Sequence, residues 1–361
     1  MTDMKKKLQN KTFRTNLITY GVVTVAFIVM QLLSSMGVLG SSMKGQLVPI
    51  CAYIVLAVSL NLLVGVCGEL SLGHAGFMGV GAFTGIVIAS VLAGKVENNV
   101  LRLIAAMIVG GAMAGFVGFL VGIPVLRLRG DYLAIVTLAF GEIVKNFIGN
   151  LYVATDSKGF HMAVATTKPE YAEDVKMIIS GPLGATGVQK LSTFAVGFGL
   201  IIFTLFVVQN LINSKEGRAI KAIKENRIAA ESVGINVTAF RMKAFVVSAI
   251  LAGMAGALFA MNYSSLNASK FNFNTSINIL VFVVLGGMGN ILGSIISATA
   301  LYILPEAMRG LEDYRMIIYA VVLIVVMLCT WSPKVKGSIQ TMQIALKEKL
   351  NLKKKEAESN E

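Results

Sequence analysis

The sequence predicts an all-α polytopic membrane protein with about ten transmembrane helices. Of its 361 residues, 55% are hydrophobic and only 14% are charged, and the mean hydropathy of +0.75 lies well above that of soluble globular domains. A helix needs about 20 apolar residues to cross the hydrocarbon core of a bilayer. Several runs of this length follow one another along the chain, and basic residues gather in short clusters between them.

Apolar runs long enough to cross a bilayer begin at eight places. In chain order they start near Leu17, Leu47, Leu70, Leu101, Thr193, Ala244, Ile277 and Met316. The run from Ile277 is too long for one span and is interrupted by glycines, so we expect two helices joined by a turn at Met288-Gly289-Asn290. Residues 132–150 are a weaker tenth candidate, because Glu142 and Lys145 interrupt the run.

The basic residues predict how these helices are oriented, because cytoplasmic loops carry the excess of Lys and Arg. With ten helices and the N-terminus inside, the cytoplasmic segments hold 21 of the 32 basic residues. Omitting the helix at 132–150 would place the basic segment 214–243 outside, so the charges favour keeping it. The net charge of +13 then reflects orientation against anionic lipid and gives no reason to expect nucleic-acid binding.

This topology divides the chain into three parts. Residues 1–16 are a cytoplasmic N-terminal segment, 17–331 a transmembrane domain and 332–361 a cytoplasmic C-terminal tail. Inside the transmembrane domain we expect an extracytoplasmic loop at 151–192 and a basic cytoplasmic loop at 214–243. The first apolar run is about 20 residues long, so it is interpreted as an uncleaved helix and not as a secretory signal.

Motifs for catalysis or metal binding are missing from the sequence. Cys51, Cys67 and Cys329 lie in or beside apolar runs without ligand spacing, and the two histidines, His74 and His161, are far apart. Neither a nucleophile elbow nor a phosphate-binding loop occurs. We therefore predict that the chain is not an enzyme, holds no cofactor or metal and does not hydrolyse ATP by itself.

Small residues recur at helical spacing in two of the apolar runs, where they would let helix backbones approach closely. These residues are Gly111, Gly115, Gly118 and Gly122 in one run, and Ala249, Gly253, Gly256 and Ala260 in the other. A third glycine-rich stretch, residues 65–85, contains several polar residues. We expect irregular backbone there, which is tolerated at membrane depth only when it is buried in protein or lines a cavity.

Four blocks of sequence resemble a known family. They are GELSLGHAGFMGVGAFT, RLRGDYLAIVTLAFGEIVKN, GRAIKAIKENRIAAESVGINVTAFRMKAFVVSAILAGMAGALFA and LVFVVLGGMGNILGS. In this order, over roughly residues 50–300, they look like LivM-type permeases of branched-chain amino acid ABC importers. The resemblance implies the fold of type II importer permeases, located in the cytoplasmic (inner) membrane of a bacterium with both termini cytoplasmic. It also implies a second permease subunit of the LivH type, two ATPase subunits that bind ATP and Mg, and an extracytoplasmic solute-binding protein.

The basic segment 214–243 has the features of a short surface helix. Gly217 begins a run in which Ile220, Ile223 and Arg227 step around one face, and Gly234 ends it. Ordinary solvated loops also carry such charges. The resemblance implies an ATPase-coupling loop, because importer permeases carry an EAA-x3-G pattern there and this chain has Ile-Ala-Ala followed by Gly. The residues so implied are Gly217, Arg218, Lys221, Ala229, Ala230 and Gly234.

Five polar residues in the resembling blocks are candidates for lining a translocation pathway. They are Asn61, Ser71, His74, Thr137 and Glu142. Each has a structural alternative: Ser71 and Thr137 could bond a backbone carbonyl, Asn61 could fasten two helices together, and His74 could make a structural hydrogen bond. Glu142 is the strongest candidate because a carboxylate within a span usually faces protein or water, although Lys145 could pair with it.

Three classes of function remain open at this stage. The first is an ABC importer permease for Leu, Ile and Val, or the same machinery for urea, short amides, nucleosides or sugars. The second is an ion-coupled secondary transporter, which should show broken helices with ionisable groups at mid-membrane. The third is an intramembrane enzyme, for which the sequence offers no nucleophile-base or metal constellation.

Overall fold

The computed structural model describes residues 2–37, 40–128, 130–156, 159–165 and 176–307, together with the single positions 317, 320, 321 and 324. Residues 1–302 form one compact unit, and the second unit, residues 303–361, is described only at 303–307 and at those four positions. The predicted tail 332–361, Arg129 and Cys329 lie outside the described residues. The predicted span that begins near Met316 falls in the second unit, so the count of about ten helices stays a prediction.

Eleven α-helices make up most of the described residues. They are α1 (Thr2–Ser35), α2 (Ser41–Asn61), α3 (His74–Val91), α4 (Asn99–Val125), α5 (Asp131–Gly149), α6 (Phe194–Asn213), α7 (Lys215–Glu225), α8 (Arg227–Ser232), α9 (Val237–Ala260), α10 (Phe273–Gly286) and α11 (Ile291–Ala307). Seven of them, α1 to α6 and α9, are long and apolar enough to cross a membrane, and α10 and α11 are shorter apolar helices. The weak candidate at 132–150 is therefore a helix, and the predicted turn near Met288 separates α10 from α11.

The segment between α2 and α3 has irregular backbone, as the glycine-rich stretch predicts. Residues Leu62–Cys67 form a π-helix that continues α2, and the chain leaves it at Gly68 with a φ of +78°. Helix α3 begins only at His74, four residues later than the predicted start near Leu70. Between the two helices a short stretch without regular secondary structure carries Glu69 and Ser71.

Helices α3, α4 and α9 pack closely around small residues. A Cβ at Gly81 would lie 2.1 Å from the carbonyl oxygen of Gly253, and one at Gly253 would lie 2.4 Å from Cβ of Ala114. A Cβ at Gly118 would lie 2.7 Å from Cβ of Ala249. The glycines of the α4 stripe therefore lie against α9. The α9 stripe contacts α4 at Ala249 and Gly253 and contacts α3 at Gly256, where a Cβ would lie 2.0 Å from Met78 O. Backbones this close leave no room for larger side chains.

A small antiparallel sheet corrects the prediction of an all-α protein. Its strands are β1 (Leu151–Asp156), β2 (Gly159–Val164), β3 (Lys176–Ser180), β4 (Ala185–Thr186) and β5 (Ser265–Leu266), in the order β2-β1-β3-β4-β5. Four strands belong to the predicted loop 151–192, and β5 comes from the connection between α9 and α10. The protein is thus mostly helical, with one sheet that joins two connections.

The sheet marks one end of the helical body, called here the sheet end. Val188 N donates to Ser264 O at 2.9 Å, and Arg102, at the start of α4, donates to Gln189 Oε1 at 2.7 Å. Asn262 Nδ2 donates to Gly45 O at the start of α2, at 3.1 Å. Connections 92–98, 150–193 and 261–272 therefore share this end, and the intervening ones lie at the opposite end. This alternation agrees with the predicted topology.

Candidate coupling site

The basic loop consists of two short helices, which corrects the prediction of a single helical run from Gly217 to Gly234. Helix α7 ends at Glu225 because Asn226 takes an extended conformation, with φ −154° and ψ 105°. The Asn226 side chain accepts a hydrogen bond from Ala229 N at 3.1 Å and so caps α8. An Asn side chain that bonds nearby N–H groups in this way favours a helix start over a helix interior.

The loop is also shorter than predicted, because α9 already begins at Val237. Asn236 caps that helix by accepting from Ala239 N at 3.1 Å, and Ser214 caps α7 by accepting from Gly217 N at 3.1 Å. Positions 237–243 of the predicted loop therefore belong to the spanning helix α9. We call residues 214–236 the coupling segment below.

Gly234 ends α8 in a Schellman motif, which explains the glycine of the predicted pattern. Its φ is +83°, its N–H donates to Glu231 O at 3.0 Å, and Ile235 N donates to Ala230 O at 3.1 Å. This bonding pattern requires a left-handed residue at the position of Gly234 and an apolar contact between the flanking residues. Ile235 packs against the apolar cluster that contains Ala230.

A small apolar cluster holds the coupling segment on α9. Ile223 from α7, Ala230 from α8 and Val237 from α9 are all buried and in contact. By contrast, Ile228 and Val233 are 77% and 76% exposed. The segment thus has an internal core of its own and also presents two large apolar side chains outward. Such a rigid helical pair with exposed apolar residues is suited to sit in a groove of another protein.

The remaining predicted coupling residues have different surroundings. A Cβ at Gly217 would lie 2.1 Å from Leu211 O, so glycine is needed where α7 crosses the end of α6. Arg218 donates to Asn213 O at 3.3 Å and holds the same crossing. Lys221 and Ala229 are exposed, whereas Ala230 is buried in the cluster.

Helix α7 reaches the π-helix through Lys224. Its Nζ donates to the carbonyl oxygen of Gly65 at 2.7 Å, and its stem lies 3.0 Å from where a Cβ of Gly68 would be. The carbonyl is open to this donor because the helix ends here, and Glu69 N donates back to Leu63 instead. A π-helix so placed exposes backbone acceptors that an α-helix would satisfy internally.

The turn between α10 and α11 meets the same π-helix from another side. Gly289 N donates to Asn61 Oδ1 at 2.7 Å, and Asn61 Nδ2 donates to Ser294 Oγ at 2.9 Å. A Cβ at Gly65 would lie 2.0 Å from Asn61 Oδ1 and 2.2 Å from Gly289 N. Gly65 is therefore required by close approach, and Asn61 fastens α2 to the turn and to α11, as its structural alternative predicts.

Helix α9 contributes a third contact to this junction. Arg241 pairs with Glu69 at 2.5 Å and also donates to Leu126 O at 3.2 Å. The Arg241 side chain is 3% exposed and that of Glu69 is 18% exposed. These two residues and Lys224 border a cleft of about 490 Å³. The coupling segment, the π-helix and the starts of α5 and α9 thus meet around one polar opening.

Four pathway candidates make hydrogen bonds within the helical body or lie buried in it. His74 is fully buried, and its Nε2 lies 2.8 Å from Ser59 Oγ. Thr137 accepts from Leu72 N at 3.0 Å and donates to Ala134 O at 2.9 Å. Ser71 Oγ is buried and has no hydrogen-bond partner among the described residues. The hydrogen bonds expected of His74 and Thr137 are present, whereas no bond from Ser71 to a backbone carbonyl is present among the described residues, and a role in translocation stays a prediction for all four.

Glu142, on the same helix as Thr137, contacts the start of α10. Its Oε1 accepts from Phe273 N at 3.0 Å, and its Oε2 pairs with Lys145, which confirms the predicted pairing. A carboxylate at this position satisfies a free N–H and interacts favourably with the helix dipole. The observed contacts of Glu142 therefore join α5 to α10, and its role in translocation also stays a prediction.

Sequence reasoning did not assign Lys224, Glu69 and Arg241 to the candidate site. Glu69 was noticeable as a carboxylate in a glycine-rich stretch, and Arg241 as a cation next to a long apolar run. Lys224, in contrast, is one of several basic residues in the coupling segment, and its acceptor is a backbone carbonyl 159 residues away. Nothing in the sequence distinguishes it from its neighbours.

Comparisons with known proteins bear on the same regions. The family described as branched-chain amino acid transport system / permease component matches residues 42–327. The chain is 33% identical to the high-affinity branched-chain amino acid transport permease protein LivM of Escherichia coli, over 82% of this chain and 70% of that protein. It is 21% identical to the LivH permease protein of Salmonella typhimurium, over 76% of this chain and 88% of that protein. It is 24% identical to the nucleoside ABC transporter permease protein NupC of Lactococcus lactis, over 55% of this chain and 60% of that protein.

The family match includes the π-helix, the coupling segment and the turn between α10 and α11. It agrees with the resemblance drawn from the four sequence blocks. The chain therefore belongs to the family of branched-chain amino acid transport system permease components.

Proposed function

We propose that this protein is the membrane-spanning permease subunit of an ABC importer that takes up branched-chain amino acids with ATP hydrolysed by partner subunits. The observation that carries the proposal is the family match over residues 42–327 together with the form of the coupling segment. That segment is internally packed through Ile223 and Ala230 and exposes Ile228 and Val233. Because it is packed in this way, the segment can be displaced by a bound partner protein and remain folded.

The partners follow from the family and from the two kinds of permease that the chain resembles. Its similarity to both LivM and LivH proteins supports a pair of related permease subunits, the second of the LivH type. Two ATPase subunits would hold ATP and Mg and supply the energy, so this chain needs no cofactor of its own. A solute-binding protein would deliver the cargo at the sheet end. Four strands and the connection 261–272 are available there as a docking surface.

We infer that the coupling segment lies in the cytoplasm of a bacterium, with the chain in the inner membrane and both termini cytoplasmic. Residues 214–243 carry seven Lys and Arg residues, and cytoplasmic loops are enriched in these. The alternation of connections between the two ends of the helical body supports the same assignment. Sidedness can be measured by labelling a single cysteine introduced at exposed Lys221, which should react only when the inner face is open to the reagent.

The cargo is proposed from the relatives, whose names give branched-chain amino acids for the LivM and LivH proteins. A zwitterion with an aliphatic side chain needs a mainly apolar passage with a few polar groups. Asn61, Ser71, His74 and Thr137 offer such groups near the junction of α2 and α3. A nucleoside is the second candidate, because the chain also resembles a nucleoside permease.

The test is uptake into proteoliposomes that hold this chain with its partner permease, ATPases and binding protein. ATP-dependent uptake of radiolabelled leucine, reduced by excess isoleucine or valine, would support the whole proposal. Uptake of a radiolabelled nucleoside in place of leucine would keep the importer and overturn the cargo. Leucine uptake driven by an ion gradient without the ATPases would refute the importer assignment.

Docking of the ATPases can be tested on the same complex. We expect the double variant Ile228→Asp, Val233→Asp to lose co-purifying ATPase, because two charges would replace the exposed apolar contact. Leu183→Asp is the matched control, since Leu183 is 73% exposed but lies at the sheet end. Equal ATPase recovery from both proteins would show that the exposed residues of the coupling segment are not the docking surface.

A further inference from the structure

The connection between the coupling segment and the turn at 287–290 suggests how movement passes through this subunit. We propose that Lys224 is a positioning residue that transmits displacement of α7 to the α10–α11 turn through the Gly65 carbonyl and Asn61. This inference rests on the proposed function, because it assumes that a partner moves α7. It adds a defined route and names the turn as the part that moves.

The first step of the route is the contact of α7 with the π-helix. Lys224 Nζ is 2.7 Å from the Gly65 oxygen, and its stem lies against Gly68. A charged donor on a backbone oxygen makes a stronger hydrogen bond than a neutral one. The Gly65 oxygen is held in a wide π-turn near the end of the helix, where fewer internal hydrogen bonds resist a shift.

The second step joins the π-helix to the turn. Asn61 Oδ1 accepts from Gly289 N at 2.7 Å and lies directly over Gly65, where a Cβ would approach it to 2.0 Å. Gly289 itself lies against the Gly65 carbonyl, since a Cβ added at Gly289 would lie 3.4 Å from that oxygen. The acceptor of Lys224 is therefore in contact with the turn, and a shift of one displaces the other.

The third step concerns the turn and the helices that it joins. Gly287 and Gly289 have φ of +89° and +88°, so the turn has a conformation that other residues rarely adopt. A Cβ at Gly293 would lie 1.8 Å from Gly286 O, which places the backbones of α10 and α11 in direct contact. The turn and the adjoining ends of both helices are thus expected to move as one body. Such discrete shifts of packed elements are how small displacements are transmitted in proteins.

The experiment compares ATP hydrolysed per leucine imported in the reconstituted complex. Lys224→Met removes the ammonium and keeps most of the stem, and Asn61→Leu removes the acceptor of Gly289 N. We expect each variant to raise the number of ATP molecules hydrolysed per leucine imported about fivefold or more, while the ATPases still assemble with the permease. A factor of about five is the lower bound of typical coupling between two sites. The double variant should be no worse than the more severe single variant, because both changes interrupt one route.

Two matched controls separate this route from general damage. Lys95→Met removes an exposed ammonium at the sheet end, and Ser192→Ala removes the hydrogen bond that Ser192 Oγ donates to Leu258 O at the same end. Both should keep the wild-type ratio. A normal ratio in Lys224→Met, or a double variant whose effect is the product of the two single effects, would overturn the route. If Asn61→Leu fails to fold, the comparison of Lys224→Met with Lys95→Met decides the question.

The outcome also distinguishes this inference from the proposed function. Wild-type complex that shows no ATP-dependent uptake of any tested solute would reject the proposed function. Wild-type complex that imports leucine, with an unchanged ratio in Lys224→Met, would reject the transmission route alone.

Discussion

The ion pair between Glu69 and Arg241 leads to an asymmetric prediction about stability. Arg241 is almost completely buried, whereas Glu69 is partly exposed at the cleft. At an effective dielectric constant of about 20 and a charge separation of about 4 Å, their attraction is roughly 4 kcal/mol. Removing the carboxylate leaves a buried cation without its partner, and such a change costs about 3–5 kcal/mol.

Removing the cation has a smaller expected cost. In Arg241→Met the apolar stem is kept, and the Glu69 carboxylate that remains can be hydrated from the cleft. We therefore expect Glu69→Gln to destabilise the protein more than Arg241→Met does. The double variant should be close to Arg241→Met, because the unpaired cation is gone in both.

The assay is thermal unfolding of the purified protein in detergent with lipid at fixed salt. If 1 kcal/mol corresponds to about 2 °C for a large chain, Glu69→Gln lowers the midpoint by about 6–10 °C. Glu231→Gln is the control, since it breaks the exposed pair with Arg227 and should shift the midpoint by about 1 °C. Equal losses in the two single variants, with additive effects in the double variant, would refute the reasoning about the buried charge.

Three further predictions use matched substitutions. Gly65→Ala should lower the unfolding midpoint by several degrees, because the new Cβ would meet Asn61 and Gly289 and overpacking typically destabilises a protein by about 1–3 kcal/mol. Gly45→Ala is the control on α2 and should leave the midpoint unchanged, since there is open space around Gly45. Gly234→Ala should lower the free energy of unfolding by about 1–2 kcal/mol, because alanine is strained in the left-handed conformation although there is space for its Cβ. Gly199→Ala on α6 is the control and should be neutral or stabilising in the same thermal unfolding assay. Burial lowers the pKa of Lys270 in the folded protein below its usual value. Between the pKa values of the folded and unfolded states, the unfolded chain therefore binds more protons than the folded one. The free energy of unfolding then rises with pH through that window. The thermal unfolding midpoint of the wild type minus that of Lys270→Met should therefore increase from pH 7 to pH 10. A difference that stays constant or falls over this range would contradict the prediction.

Much of the helical architecture could be predicted from the sequence, because in a membrane both length and polarity are constrained. The turn near Gly289 was predictable since glycines interrupt a run too long for one span. The close packing at the small residues of α4 and α9 was predictable from their spacing, but the helices that they meet were not. The weak helix at 132–150 was identified by charge balance, although Glu142 and Lys145 lie within it. In the structure these two residues pair, which lowers the cost of keeping them in a span.

Features that depend on contacts distant in sequence could not be predicted. The short strands of the sheet gain their partners from residues as far apart as Ala185 and Leu266, and such pairing leaves little local signal. The break in the coupling segment was locally encoded, since an Asn in a helical run can cap a new helix. The junction at Gly65 was not, because the two residues that meet it from other elements, Lys224 and Gly289, lie far from it in the sequence.

The distribution of close backbone contacts indicates which parts of the protein are free to move. Helices α3, α4 and α9 contact one another through backbone atoms, as at Gly81 and Gly253, and a displacement there would create clashes along whole helices. The turn at 287–290 approaches the backbone of the π-helix at Gly65 and is held to α2 by the hydrogen bond from Gly289 to Asn61, which can be exchanged between donors at little cost. When α7 is displaced, the closely packed helices α3, α4 and α9 therefore resist movement more than the turn at 287–290 does. The physical expectation is that the turn responds while α3, α4 and α9 keep their packing.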